Sequence, residues 1–142
     1  TRREEDKELG EGERYPLRVL AAEDTRAIQF VLKRMVGQLV NDLIVVEDGQ
    51  RAVEVAMEAE RSSRPFDMIL MDIQMPVVDG TEATKQLRRE GFEKPIVALT
   101  AGARESERLA CMTAVCTHFL AKPSDVRELK RILASVAYPE AS

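Results

Sequence analysis

Five short apolar runs alternate with longer segments of mixed polarity along the chain. The runs are Leu17–Ala22, Leu43–Val46, Met68–Met71, Ile96–Leu99 and Thr117–Ala121. Near-continuous apolar strands are typical of a parallel sheet that is covered on both faces. The intervening segments have helical spacing, and five strands that alternate with five helices predict an α/β fold. We therefore expect a (βα)5 doubly wound, five-stranded parallel sheet with right-handed crossovers.

Two of the predicted helices show an apolar stripe. In the first helix the stripe contains Ile28, Val31, Leu32 and Met35. In the last helix the residues that fall on one face at helical spacing are Val126, Leu129, Ile132, Leu133 and Val136. We expect these stripes to pack against the sheet. Asp79 and Ser124 precede helical segments and are predicted N-caps.

The pattern also predicts where the folded part begins and ends. Residues 1–15 are almost entirely charged or small, and such a segment buries too little surface to offset its ordering entropy. We predict a charged linker or tail over residues 1–15, one domain over residues 16–138 and a C-terminal tail over residues 139–142. The first residue is Thr1 rather than Met, which favours a piece of a longer protein.

Length, charge and cysteine usage exclude several classes of function. The 142 residues fit a single domain, and the net charge of -4 argues against direct nucleic-acid binding. No apolar run approaches the roughly 20 residues of a membrane span, and no secretory signal is visible. Cys111 and Cys116 do not form a disulfide framework and are interpreted as reduced thiols. We expect a cytoplasmic domain that contacts neither nucleic acid nor membrane.

Polar side chains gather where the predicted strands end. Glu23 and Asp24 follow the first strand, Asp72 the third, Thr100 the fourth and Lys122 the fifth. Ligands of open parallel sheets bind beyond the carboxyl ends of the strands, so these groups should meet at one edge. Three close carboxylates repel one another and need a counter-charge. Oxygen ligands of this kind suit Mg²⁺.

The remaining polar groups predict a place for a small tetra-oxygen anion. Lys122 supplies a second positive charge, and Thr100 supplies a hydroxyl group. A carboxylate can act as the nucleophile towards a phosphoryl group, and a metal ion can neutralise the phosphoryl oxygens during in-line attack. The pattern therefore predicts phosphoryl chemistry on a carboxylate.

Four short motifs, in order and each at its own strand end, resemble the response-regulator receiver domain of two-component signalling. They are Glu23-Asp24, the segment Asp-Ile-Gln-Met-Pro-Val-Val-Asp-Gly at 72–80, Ala-Leu-Thr-Ala at 98–101, and Lys122-Pro123. The resemblance covers residues 17–136, and residues 69–84 are most similar to receivers of hybrid histidine kinases. It implies a flavodoxin-like fold.

The resemblance implies a role for each residue of the acidic pocket. Asp72 matches the phosphoacceptor, which also contacts the metal. Asp24 matches the direct metal ligand and Glu23 the acid that acts through water. Gln74 matches the residue whose backbone carbonyl binds the metal. The expected cofactor is Mg²⁺.

The resemblance also implies a switch. Thr100 matches the hydroxyl that bonds the phosphoryl group, and Lys122 the lysine that pairs with it. The peptide bond before Pro123 is expected to be cis, as in similar domains. Phe119 matches the switch aromatic, and phosphorylation is expected to change the surface of the fourth helix, the fifth strand and the fifth helix. The chain departs from the pattern at three positions near this surface: Val115, Thr117 and His118.

The expected partner is a histidine kinase or a histidine-phosphotransfer domain, because the resemblance places the donor histidine outside this chain. His118 is therefore not assigned as the donor. Phe30 falls away from the apolar stripe of the first helix, among Arg26, Lys33 and Arg34. It is predicted to dock the partner, although a single exposed aromatic residue needs no functional explanation. The sequence leaves open whether the domain forms a homodimer.

Three other functions compete with this interpretation. A magnesium-dependent phosphohydrolase would also use a nucleophilic aspartate, but enzymes similar to haloacid dehalogenases have a second aspartate where this chain has Gln74. A degenerate receiver that only binds partners is disfavoured by the complete set of acidic, hydroxyl and lysine residues. A phosphate-binding loop is absent from the sequence. We expect self-catalysed phosphorylation and slow dephosphorylation rather than enzymatic turnover.

Overall fold

The computed structural model describes residues 14–73, 79–100, 116–121 and 126–138, without the side chains of Phe119 and Ala121. Five strands lie in these residues: β1 (Tyr15–Ala22), β2 (Val40–Val46), β3 (Met68–Asp72), β4 (Ile96–Thr100) and β5 (His118–Ala121). They form one sheet in the order β2-β1-β3-β4-β5, and every neighbouring pair is parallel. The doubly wound, flavodoxin-like sheet predicted from the sequence is confirmed.

Four helices lie in the described residues: α1 (Arg26–Met35), α2 (Gly49–Arg61), α3 (Gly80–Arg89) and α4 (Val126–Ala137). Asp79 is the N-cap of α3, as predicted, and its carboxylate accepts a hydrogen bond of 2.9 Å from the backbone N–H of Glu82. The helix predicted between β4 and β5 and the predicted N-cap Ser124 lie outside the described residues. None of the described helices is long and apolar enough to cross a membrane.

The apolar core has two layers, one on each face of the sheet. Alternation along β1 sends Val19 and Ala21 to the layer that contains α1 and α4, and Leu20 and Ala22 to the layer that contains α2 and α3. All four of these side chains are fully buried. Burial on both faces explains why the central strands consist of continuous apolar runs.

Two members of the predicted helical stripes are more exposed than expected. Val31 is 39% exposed and Val126 is 43% exposed. In α1 the packed arc is centred near the fully buried Leu32, so at 100° per residue Val31 falls outside it. Val126 stands at the first position of α4. Helical spacing therefore predicted the stripes but not how deeply each of their members is buried.

The first strand begins earlier than the sequence predicted. Tyr15 was assigned to the charged tail, but it is the first residue of β1 and only 2% exposed. Its N–H donates to the carbonyl of Leu39 at 2.7 Å, and its ring lies 6.4 Å from that of Tyr138. Tyr15 therefore belongs to the folded unit because it covers one end of the core.

Candidate metal and phosphoryl site

The parallel register brings four polar residues to one edge of the sheet. Asp72 is the last residue of β3 and Thr100 the last residue of β4, while Glu23 and Asp24 follow β1 directly. Carboxylate oxygens of Glu23, Asp24 and Asp72 all lie within 4.8 Å of one another. The sequence predicted this meeting from the strand-end rule alone.

The four residues differ in their exposure to solvent. Glu23 is 0% exposed, Asp72 1% and Thr100 5%, whereas Asp24 is exposed. Burial of carboxylates beside one another raises the free energy of their charged forms unless a cation compensates. A group of three carboxylate oxygens, with one acid open to solvent, fits a hard divalent cation that keeps some of its waters.

Hydrogen bonds hold Glu23 in the connection between β1 and α1. The backbone N–H of Thr25 donates to Oε2 of Glu23 at 3.0 Å. Nε2 of Gln29 donates to the backbone carbonyl of Glu23 at 2.6 Å, and the N–H of Glu23 donates to the carbonyl of Val46 at 3.0 Å. Sequence reasoning did not single out Gln29, because no motif or strand end marks this position.

The start of α3 packs against the end of β3. The N–H of Gly80 donates to the carbonyl of Ile73 at 3.3 Å. The hydroxyl of Thr84, which is fully buried, donates to the carbonyl of Gly80 at 2.7 Å. Gly80 belongs to the motif recognised in the sequence, but its contact with the backbone of Asp72 became visible only in the structure.

The remaining predicted site residues lie in β5 or outside the described residues. Gln74, Lys122 and Pro123 lie outside the described residues, so their roles stay predictions. Phe119 lies in β5, where its backbone is paired with Ala98 of β4. In the same register Thr100 is paired with Ala121, the residue before Lys122.

The predicted docking residue on α1 is exposed to solvent. Phe30 is 61% exposed, and the guanidinium carbon of Arg34 lies 5.7 Å from the centre of its ring. Arg26 and Lys33 are also exposed, and Val31, the next residue of α1, is 39% exposed. The helical spacing predicted this exposed aromatic residue with basic neighbours correctly.

His118 lies at the amino end of β5, opposite Val97 of β4. The site is at the other end of the sheet, where the strands finish. His118 is half-buried, and among the described residues its Nδ1 is a buried atom without a hydrogen-bond partner. This position agrees with its assignment as a strand residue rather than a phosphodonor.

The family model for the response regulator receiver domain matches residues 19–134. The chain belongs to this family. It is 39% identical to the osmosensing histidine protein kinase SLN1 of Saccharomyces cerevisiae over 119 residues, which are 82% of the chain and 10% of that protein. It is 35% identical to histidine kinase 1 of Arabidopsis thaliana, with 88% of the chain and 13% of that protein covered. The chain thus spans only about a tenth of the length of these relatives.

Solved receiver domains have the same fold. The receiver domain of sensor histidine kinase PA1611 from Pseudomonas aeruginosa, crystallised with magnesium in its active-site cleft, superimposes with a TM-score of 0.75. It is 36% identical, and the match covers 86% of this chain and 98% of that one. The receiver domain of the histidine kinase CKI1 from Arabidopsis thaliana, complexed with Mg²⁺, has a TM-score of 0.72 and 25% identity, with 84% and 91% of the two chains covered. The resemblance to receivers of hybrid histidine kinases is confirmed.

Proposed function

We propose that this receiver domain accepts a phosphoryl group from a partner histidine onto Asp72, in a reaction that depends on Mg²⁺. The observation that carries the proposal is the meeting of three carboxylates within 4.8 Å at the carboxyl end of the sheet. The donor would be a histidine kinase or a histidine-phosphotransfer domain, in line with the histidine kinases to which the chain is similar.

Asp72 is the nucleophile in this proposal because of its place in the sheet. It ends β3, the central strand, which is flanked by β1 and β4. A carboxylate oxygen attacks the phosphorus atom while the bond from phosphorus to the histidine nitrogen breaks, so that an acyl phosphate forms. The backbone of Asp72 is held by its strand neighbours and by the close approach of Gly80.

The ligands for Mg²⁺ would be Asp24, Asp72 and the backbone carbonyl of Gln74, with Glu23 acting through a water molecule. When bound, the cation would offset the negative charge of the carboxylates and of the phosphoryl oxygens. Asp24 is exposed and is therefore open to an entering ion. Glu23 is buried and oriented by the N–H of Thr25, which suits a residue that orders water rather than one that moves.

Thr100 and Lys122 would bind the phosphoryl oxygens. The hydroxyl of Thr100 stands at the end of β4, and its strand partner Ala121 precedes Lys122 in the chain. Movement of Thr100 towards the phosphoryl group would vacate space for Phe119 on β5. This exchange would change the surface formed by β5, α4 and the helix predicted between β4 and β5. The two states would differ by only a few kcal/mol.

The partner would dock on the exposed side of α1. Phe30 offers a large apolar surface, and Arg34, Lys33 and Arg26 surround it with positive charge. Aromatic residues and arginine are enriched among the residues that dominate binding energy at interfaces. The docking face adjoins the connection that carries Glu23 and Asp24, so a partner on α1 would lie beside the pocket.

Incubation with a small phosphodonor and Mg²⁺ tests the proposal. Intact-mass analysis should show one added phosphoryl group on the wild-type chain and none on Asp72→Asn. Asp48→Asn is the control, because Asp48 caps α2 outside the pocket. It should accept phosphate as the wild type does. Stoichiometric phosphorylation of Asp72→Asn would overturn the assignment.

A further inference from the structure

The connection between β1 and α1 carries two of the three acids and has only three residues, 23–25. Its first peptide unit joins the carbonyl of Glu23 to the N–H of Asp24. Because a peptide unit is planar, a hydrogen bond that fixes this carbonyl also fixes the direction in which the chain enters Asp24. The orientation of the Asp24 carboxylate therefore depends on what holds the carbonyl of Glu23.

Gln29 is the residue that holds it. Its Nε2 reaches back six positions from α1 and donates to the carbonyl of Glu23 at 2.6 Å. The side chain is half-buried, and the N–H of Gln29 donates to the carbonyl of Thr25 at 2.9 Å. Gln29 thus links the first turn of α1 to the start of the connection by a hydrogen bond. It is not itself a proposed metal ligand.

We infer that Gln29 is a positioning residue for the metal site, which it serves by orienting the peptide unit between Glu23 and Asp24. The inference rests on the proposed function, since it concerns the same site. Hydrogen bonds behind a metal ligand fix its orientation, and their loss weakens metal binding although no ligand is removed. If the hydrogen bond of Gln29 were purely structural, its removal would lower the stability of the domain and leave metal affinity unchanged.

The test is a Mg²⁺ titration of the wild type, Gln29→Met and Gln50→Met, followed by backbone amide shifts. Methionine keeps the approximate length of glutamine and removes the donor. Gln50 is the matched control, because it is exposed on α2 and its Nε2 donates to Glu54 of the same helix at 3.3 Å. The dissociation constant should rise about tenfold in Gln29→Met and stay unchanged in Gln50→Met.

Urea unfolding of the same variants without Mg²⁺ separates the two roles. Gln29→Met with wild-type metal affinity, whatever its stability, overturns the inference. A wild-type chain that binds no Mg²⁺ overturns the proposed metal site, and the inference with it. The positioning role is supported if Gln29→Met binds Mg²⁺ more weakly than the wild type and Gln50→Met do, under conditions in which urea unfolding shows that all three proteins are folded.

Discussion

The backbone carbonyl oxygen of Asp72 occupies the space that a Cβ atom on residue Gly80 would need. A Cβ atom at position 80 would stand 2.0 Å from this oxygen and 2.7 Å from the Cα atom of Ile73. Any residue other than glycine would force α3 and the end of β3 apart. The requirement is steric, and it couples the packing of α3 to the position of the proposed phosphoacceptor.

Gly80→Ala should therefore destabilise the domain and also slow its phosphorylation. Overpacking of a tight contact costs about 1–3 kcal/mol, which urea unfolding would measure. The control is Gly91→Ala. Gly91 has a φ of +97° and nothing within 4 Å of an added Cβ, so alanine there is strained but far from any contact with β3. It should lose about 1–2 kcal/mol of stability and keep the wild-type phosphorylation rate. Equal rates in both variants would show that the Gly80 contact does not position Asp72.

Metal affinity should depend on Asp24. Few protein carboxylates and several retained waters imply a dissociation constant of the millimolar class for Mg²⁺. Asp24→Ala should weaken binding beyond the range of a titration that saturates the wild type. Glu54→Gln, which also removes one negative charge but lies exposed on α2, should bind Mg²⁺ as the wild type does. Unchanged affinity in Asp24→Ala would remove this residue from the metal site.

Phe30→Ala should weaken the complex with a histidine-phosphotransfer partner about tenfold, as expected for an interface anchor that contributes more than 1 kcal/mol. The stability of the free domain should change by less than about 0.5 kcal/mol, because the side chain is exposed. Gln50→Ala is the control, because Gln50 is exposed on α2 and lies outside the proposed docking and switch surfaces; it should leave partner affinity unchanged. If Phe30→Ala leaves both affinity and phosphotransfer rate at wild-type values, the aromatic residue is simply exposed.

Tyr15 should ionise later than an ordinary tyrosine. Its pKa is raised above 10.0, first by burial and then by the neighbouring Tyr138. The chain has two tyrosines, so Tyr138→Phe leaves Tyr15 as the one phenol seen in an ultraviolet titration.

A raised pKa of Tyr15 favours the neutral form of its side chain in the folded state. The corresponding stability is present below a pH of about 10 and is lost as the pH rises through the folded-state pKa. Tyr15→Phe should abolish this alkaline loss in urea unfolding, and a Tyr15 that titrates at the ordinary value would contradict the prediction.

The sequence predicted the sheet well because burial on both faces leaves a clear apolar signal in β1, β3 and β4. It was less accurate for β2, which begins at Val40 rather than Leu43. Asn41 and Asp42 lie in this edge strand, where side chains on the outer part of the sheet can be polar. An apolar run therefore underestimates the length of such a strand.

The candidate site could be predicted only as far as strand ends determine it. Asp72 and Thr100 end their strands, so the sequence placed them correctly at one edge. The contacts of Gln29 with Glu23 and of Gly80 with Asp72 depend on how a helix approaches the sheet, and no spacing rule encodes that approach. Both contacts are therefore found only in the folded structure.

The most direct test of the account is to find which side chain carries the phosphoryl group. Acyl phosphates of aspartate are reduced by borohydride to homoserine, which is stable enough to be located by peptide sequencing in a mass spectrometer. After phosphorylation by a small donor with Mg²⁺, homoserine should appear at position 72 and at no other acid of the pocket. Homoserine at position 24, or a reduced glutamyl product at position 23, would contradict the assignment of Asp72 as the phosphoacceptor.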